Sequence, residues 1–438
     1  MDAFDADVLI YAAVPDHDLG RPGSTLRTSP LRIRVYRSLW IAGLVSNIGT
    51  FMHLVAAGWT MTTLSLSPTM VSLVQTMWAV PGFLLALHAG AFADMLDRRQ
   101  LIIGTQAAAL VVAAVLGVVQ ITGQMSIALL LTCTFIESVA LTLAAPAFMA
   151  LTPELVGPHL LAQALGLDAV SRNAAQALGP ALAGVVIALS GPGGVFLLNA
   201  ASFVGVVVVV NGYHGTVRPT AVVDGIGTTI RRGVHYVVGD LSLRSPVLRL
   251  AIMSSVGAAL TAMLPLVARG RLHASPGGFG MLSAGLGLGA VAAVWLIPRA
   301  RSMLRPDGAV IAAAALWSVG TALFATSTQV WFSFAGLLLA GAGAVGTLTM
   351  LFATYTLRLD HRMRGRGSAV AMLMVWLGAS VGTVLWGVLA SGFGIHTALL
   401  TAAVANVVVA AASLWLLPLN VGFDSQAGPD DGTLEPVA

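Results

Sequence analysis

Lysine is absent from the 438-residue chain, and all 22 basic residues are arginine. A chain without lysine holds no Walker-type phosphate loop and no Schiff-base lysine, which excludes ATP-driven work and amine catalysis within it. The single cysteine, Cys133, excludes an internal disulfide framework and any cysteine-based metal cluster. Charge of either sign is scarce: charged residues make up 9% of the chain and apolar ones 57%, against about 25% charged in soluble domains. Such a chain belongs in a bilayer, so the prior of about 150 residues per soluble domain does not apply. The nine histidines lack ligand spacing, which gives no metal site and no cofactor. The arginines follow no groove-lining stripe for nucleic acid, and no nucleophile–base pair suggests an enzyme.

What is present is a series of apolar segments, each about 20 residues long, the length that one helix needs to cross a membrane. Twelve are read, at 39–62, 69–92, 100–120, 126–148, 166–190, 195–212, 247–268, 280–297, 309–326, 329–353, 366–390 and 395–417. The 48 glycines and 19 prolines spread along them suit transmembrane helices. No apolar core follows a basic start in the first thirty residues, so these residues are not a signal peptide. With both termini in the cytoplasm, the inside segments hold 20 arginines and the outside ones only Arg269 and Arg271. That split is a positive-inside signal. The Ala, Gly, Val and Arg bias points to a GC-rich bacterial genome and hence to a bacterial cytoplasmic membrane.

The expected organisation is all-α: a tail over 1–34, a six-helix half over 35–212, a linker over 213–246, a second half over 247–418 and a tail over 419–438. In the linker Ile230, Val234, Val237, Val238 and Leu241 recur at helical spacing, with Arg231 and Arg232 off that face. Such a helix either lies on the cytoplasmic membrane surface or packs on the bundle. An offset of 199 takes Gly90 of GAFA to Gly289 of GAVA and Gly179 to Gly378. Close to that offset, the turn at 190–194 falls on the one near 390–394. Matches in order around a central loop indicate a duplicated unit, with its site at the interface of two pseudo-symmetric halves.

The segment GAFADMLDRRQ at 90–100 joins span two to span three. Gly90 permits close backbone approach, Asp94 suits the positive end of a neighbouring helix, and Arg98 and Arg99 anchor the turn. With Asp97 they stand at the spacing of the loop two–three signature of the major facilitator superfamily, which the chain resembles. SNIGTFMHLVAAGW at 46–59, APAFMALTPELV at 145–156, SRNAAQALGPALAG at 171–184, FLLNAASF at 196–203 and the Arg364-Gly365-Arg366 step resemble one branch of it. That branch contains the bacterial enterobactin exporter and related efflux proteins. The likeness covers about residues 36 to 417. It implies a twelve-helix fold and rocker-switch alternating access, with Asp94 closing the cytoplasmic side against the start of span eleven. It also implies a hinge at Gly179 and Pro180, which look like the antiporter signature of span five. The chain departs from the branch at His53, usually Gln, and at Arg172, usually apolar. Span four lacks the buried arginine of proton-linked drug antiporters.

Glu137 is the carboxylate placed deepest in the apolar region, and an ionisable residue inside a membrane is a functional candidate by default. It either binds the coupling proton or is a hydrogen-bonded structural residue. Thr134, Glu137 and Leu141 form one stripe, expected to face the cavity. Ser46, Thr50 and His53 form another in span one, with Asn47 beside it, and such polar stripes face protein or water rather than lipid. His53 either partners Glu137 or a substrate or is simply bonded in the bundle. Asp168 and Arg172, four apart, form a local pair or a gate with Asp94 or Glu154. Trp59, Trp78, Trp376 and Trp386 either stack on an aromatic substrate or pack the helices.

The expectation is a multidrug-type efflux antiporter in the inner membrane, a monomer surrounded by membrane lipid. It exchanges protons for a hydrophobic or amphipathic small-molecule substrate such as a drug, siderophore or secondary metabolite. A proton-coupled importer and a non-transporting receptor or scaffold remain as alternatives.

Overall fold

A computed structural model describes residues 29–213, 226–360 and 363–416. Its long helices are α1 (Arg34–Leu64), α2 (Pro68–Met95), α3 (Arg98–Ile121), α4 (Ile127–Val156) and α5 (Leu161–Asn211). After the short α6 (Ile226–Gly239) come α7 (Leu241–Leu266), α8 (Pro276–Met303), α9 (Pro306–Thr326), α10 (Val330–Leu357), α11 (Arg364–Phe393) and α12 (Ile395–Leu416). Helix starts follow local chemistry. Asp97, Ser126 and Ser275 accept from the amides of Gln100, Leu129 and Gly278, while Pro68, Pro276 and Pro306 stand in first turns.

Among the described residues eleven helices are long and apolar enough to cross a membrane, and α5 makes two crossings. A straight helix of 51 residues would run about 75 Å, more than twice the bilayer core. Gly191 breaks it with φ +75° and ψ 175°. A β-carbon at Gly179 would meet Phe51, and one at Gly49 would meet Asn199. Residues 179 and 199 therefore lie at one depth, and the chain folds back between them. The expected turn over 190–194 shrinks to this single residue, because Pro192 is already suited to a helix start. Twelve crossings in two six-helix halves result.

The repeat is visible in packing. Gly179 brings α5 against α1, where its β-carbon would stand 3.0 Å from Ile48 O. Gly378, its counterpart, brings α11 against α7, where the β-carbon would stand 3.1 Å from Ala251 Cα. Gly90 behaves otherwise: among the described residues nothing lies within 4 Å of its β-carbon position, so the close approach expected there is not made. On α2 that approach falls at Gly82, under Trp376.

The linker helix α6 divides its apolar face. Val237 is buried against the second half and Tyr236 Oη accepts from the Asp360 amide at 3.2 Å, whereas Val234 and Val238 are exposed. Helix α7 begins at Leu241, earlier than the expected span, and carries Arg249 into the interior.

Candidate functional site

The deepest polar cluster lies within the first half. His53 on α1 and Glu137 on α4 are both 0% exposed, with Nδ1 3.1 Å from Oε2. The two atoms are within reach but not aligned for a hydrogen bond. Asn199, after the fold-back in α5, is also fully buried and donates from Nδ2 to Glu137 Oε1 at 2.8 Å. Phe196 covers the imidazole with ring centroids 5.0 Å apart. Sequence reasoning paired His53 with Glu137 as one alternative but missed Asn199. Its signal was a lone amide in an apolar span, eight residues past a turn glycine.

The two polar stripes turn out to face the interior of this half and not an open cavity. Thr134 is fully buried and donates to Leu130 O at 2.7 Å, so its hydroxyl is spent on its own helix. Ser46 is buried, Thr50 half-buried, and Asn47 donates to Ser171 Oγ at 3.4 Å on α5. The reason is steric. Gly49 lets the later part of α5 approach α1 so closely that Asn199 and Ser202 cover residue 49 and Phe196 covers His53.

The arginine-rich end of the first half is braced by the loop signature. Asp97 caps α3. Arg98 pairs with Glu154 at the end of α4, and Arg99 donates to Val210 O at 3.2 Å and to Asn211 O at 2.6 Å. A guanidinium on the last carbonyls of a helix is a favourable place for positive charge. Glu154 is thus engaged by Arg98 and not by Asp168 or Arg172. Asp168 accepts from Tyr36 Oη at 3.3 Å, and Arg172 is exposed one turn on. The side chains of Asp94 and Arg364 lie outside the described residues. The equivalent end of the second half holds Arg249, fully buried, 2.6 Å from Asp307 in the first turn of α9.

Between the halves, α2 meets α11 and α5 meets α8, two pairs related by the repeat. Thr76 and Thr383 hydroxyls are 2.8 Å apart, as are those of Thr69 and Ser391. A β-carbon at Gly184 would stand 2.7 Å from Gly280 Cα. At the arginine-poor end Trp59 stacks on Phe279 at 5.4 Å, with the Arg269 guanidinium 5.5 Å above its ring and donating to Thr62 at 3.3 Å. Arg269 sits on a single π-turn, Val267–Arg271, that ends α7. The tryptophans are packing residues at three of the four positions: Trp59 as above, Trp376 against Gly82, and Trp386 donating to Ser255 O at 3.0 Å. Trp78 is half-buried.

Over residues 25–431 the chain matches the family described as transmembrane secretion effector. An uncharacterized MFS-type transporter of Sinorhizobium fredii is 23% identical over 362 residues, which is 80% of this chain and 87% of that protein. Among solved structures, a bacterial homolog of the human lysosomal transporter Spinster, inward-facing and occupied, is similar with a TM-score of 0.72. It is 15% identical, with 89% of this chain and 97% of that one covered. The nucleoside transporter NupG gives a TM-score of 0.71 at 13% identity, covering 87% of this chain and 99% of its own. At such identities the likeness to the solved structures is one of fold.

Proposed function

The chain belongs to the transmembrane secretion effector family, within the major facilitator superfamily, and is a multi-pass membrane transporter rather than an enzyme. From that premise we propose that it exports a hydrophobic or amphipathic small molecule by alternating access, in exchange for protons. The family resemblance favours a drug, siderophore or other secondary metabolite, as in the efflux branch that includes the enterobactin exporter. The 20-to-2 arginine split supports both termini in the cytoplasm of a bacterial inner membrane. Two complete halves in one chain support a working monomer.

The observation that carries proton exchange is the His53–Glu137 pair, 3.1 Å apart and sealed inside the first half. A carboxyl and an imidazole in one dry place form a group able to hold or release a proton when a transport step opens it. Asp97, Arg98 and Arg99 brace one end of the moving half, and Gly179 with Pro180 sets its packing on α1. Gly90, Asp94, Asp168, Arg172 and Arg364 are proposed as gating positions, and Ser46, Asn47, Thr50 and Thr134 as the polar surroundings of the pathway.

The test begins with a deletion strain profiled against toxic compounds and siderophores. The first compound whose efflux is lost is then followed in proteoliposomes under an imposed proton gradient. Export should follow the gradient and reverse with it, and Glu137→Gln should abolish the coupling. Unchanged gradient-driven transport in that variant would refute the role of Glu137.

A further inference from the structure

The Glu137 cluster is enclosed by the first half itself. Glu137, His53 and Asn199 are each 0% exposed. A β-carbon on Gly49 would stand 2.7 Å from Asn199 Oδ1, so the α1 backbone lies directly over the amide. The groups facing the pair are Asn199 and Phe196 from α5 and, one turn back on α4, the buried thiol of Cys133. A net charge so far from water is disfavoured by many kcal/mol and neutralises instead. The pair is neutral only with one proton.

Where that proton sits follows from hydrogen-bond satisfaction. Glu137 Oε2 and both ring nitrogens of His53 lack an aligned partner alike, so the number of donors to satisfy decides, and imidazolium has two where a carboxyl has one. A carboxyl group needs less: one oxygen to accept and one to carry the proton. Oε1 already accepts from Asn199, which leaves Oε2 for the proton, facing His53 Nδ1.

We propose that Glu137 and His53 form a one-proton site with the proton on Glu137 Oε2, and that Asn199 is its positioning residue. By holding Oε1, the amide fixes the carboxyl so that Oε2 points at the imidazole. Once the imidazole, with its own proton on Nε2, turns into line with Oε2, transfer breaks the Oε2–H bond and forms Nδ1–H, leaving carboxylate beside imidazolium with no change in net charge. The role of this site in export rests on the proton-exchange reading above, but its test does not.

Infrared spectra of the full chain in lipid vesicles read the carboxyl carbonyl stretch, which Glu137→Gln assigns by removing it. The expected result is a Glu137 carbonyl band at neutral pH that moves to higher wavenumber in Asn199→Leu, where Oε1 has lost its donor. Asn406→Leu, which removes a buried amide bonded to Ala314 O in the second half, should leave the band in place. Asn199→Ala serves the same purpose if the leucine variant does not fold. A folded wild-type chain without a Glu137 carbonyl band would overturn the one-proton site. A band unmoved by the loss of Asn199 would overturn the positioning role. The expected bands in a chain whose export ignores the proton gradient would support the site while removing the antiport reading.

Discussion

Replacing Gly184 by alanine inserts one methyl group between the halves. Its β-carbon would stand 2.7 Å from Gly280 Cα and 3.2 Å from Gly280 N and Gly277 O, all backbone atoms of α8 that no rotamer change can move. Carbon atoms pack at about 3.5–4.0 Å, so α8 has to retreat by roughly 1 Å at this point. Overpacking of this size costs about 1–3 kcal/mol. The cost falls only on the state in which α5 and α8 touch, and it moves the equilibrium away from that state by about 5- to 150-fold. A crosslink reads the change. In a Cys133→Ser background, Thr69→Cys and Ser391→Cys put thiols where two hydroxyls now stand 2.8 Å apart, on α2 and α11. A short bifunctional thiol reagent should join them quickly in the parent and several-fold more slowly with Gly184→Ala. Wild-type crosslinking together with an unchanged thermal midpoint would refute the reasoning, because the cost cannot be missing from both.

Asp307→Ala leaves the buried Arg249 without its 2.6 Å carboxylate, and the loss of one buried partner should lower stability by about 3–5 kcal/mol. Thermal unfolding should show a smaller loss for Arg249→Met with Asp307→Leu, and a double variant worse than the single one would contradict this. Arg269→Gln removes the cation above Trp59 and should weaken closure of the arginine-poor end by about 0.5–2 kcal/mol, read by the same crosslink; an unchanged rate would count against a role of Arg269 in that closure. Gly49→Ala pushes α1 away from Asn199 and should speed deuterium exchange at the Glu137 carboxyl, whereas Gly184→Ala should not. Faster exchange with Gly184→Ala alone would place the opening between the halves.

Sequence pattern carried far in this chain because a bilayer limits the choices. Apolar length set the crossings, and the arginines sorted to one end, since neither depends on which helix touches which. The turn between the fifth and sixth crossings was misjudged in extent, as Gly191 and Pro192 together need one residue where a loop of several was read. The loop signature was legible as a motif, yet its bonds were not. That Arg98 meets Glu154 and Arg99 meets the end of α5 depends on three helices converging. Helix faces were the weakest inference. Mean periodicity placed Glu137 toward a cavity, while its true surroundings are decided by Gly49, a residue whose meaning is the absence of a side chain. That Arg249, near the start of the seventh span, is buried was not legible either, because its partner Asp307 comes from the first turn of α9.

The two halves share a fold but divide the chemistry. In the second half the buried charge is an arginine, which does not release its proton in proteins, held by a carboxylate at a helix N-terminus. That pair ties α7 to α9. In the first half the buried groups are a carboxyl and an imidazole, which exchange protons readily once wetted. The cluster lies behind α1, α4 and α5 and not on the surface where the halves part. Rocking one rigid half against the other therefore leaves it dry. A proton can enter or leave when α1 or α4 shifts against α5, and one contact that resists the first of these shifts is at Gly49. The proposed proton exchange consequently calls for a movement inside the first half, timed with the separation of the two halves.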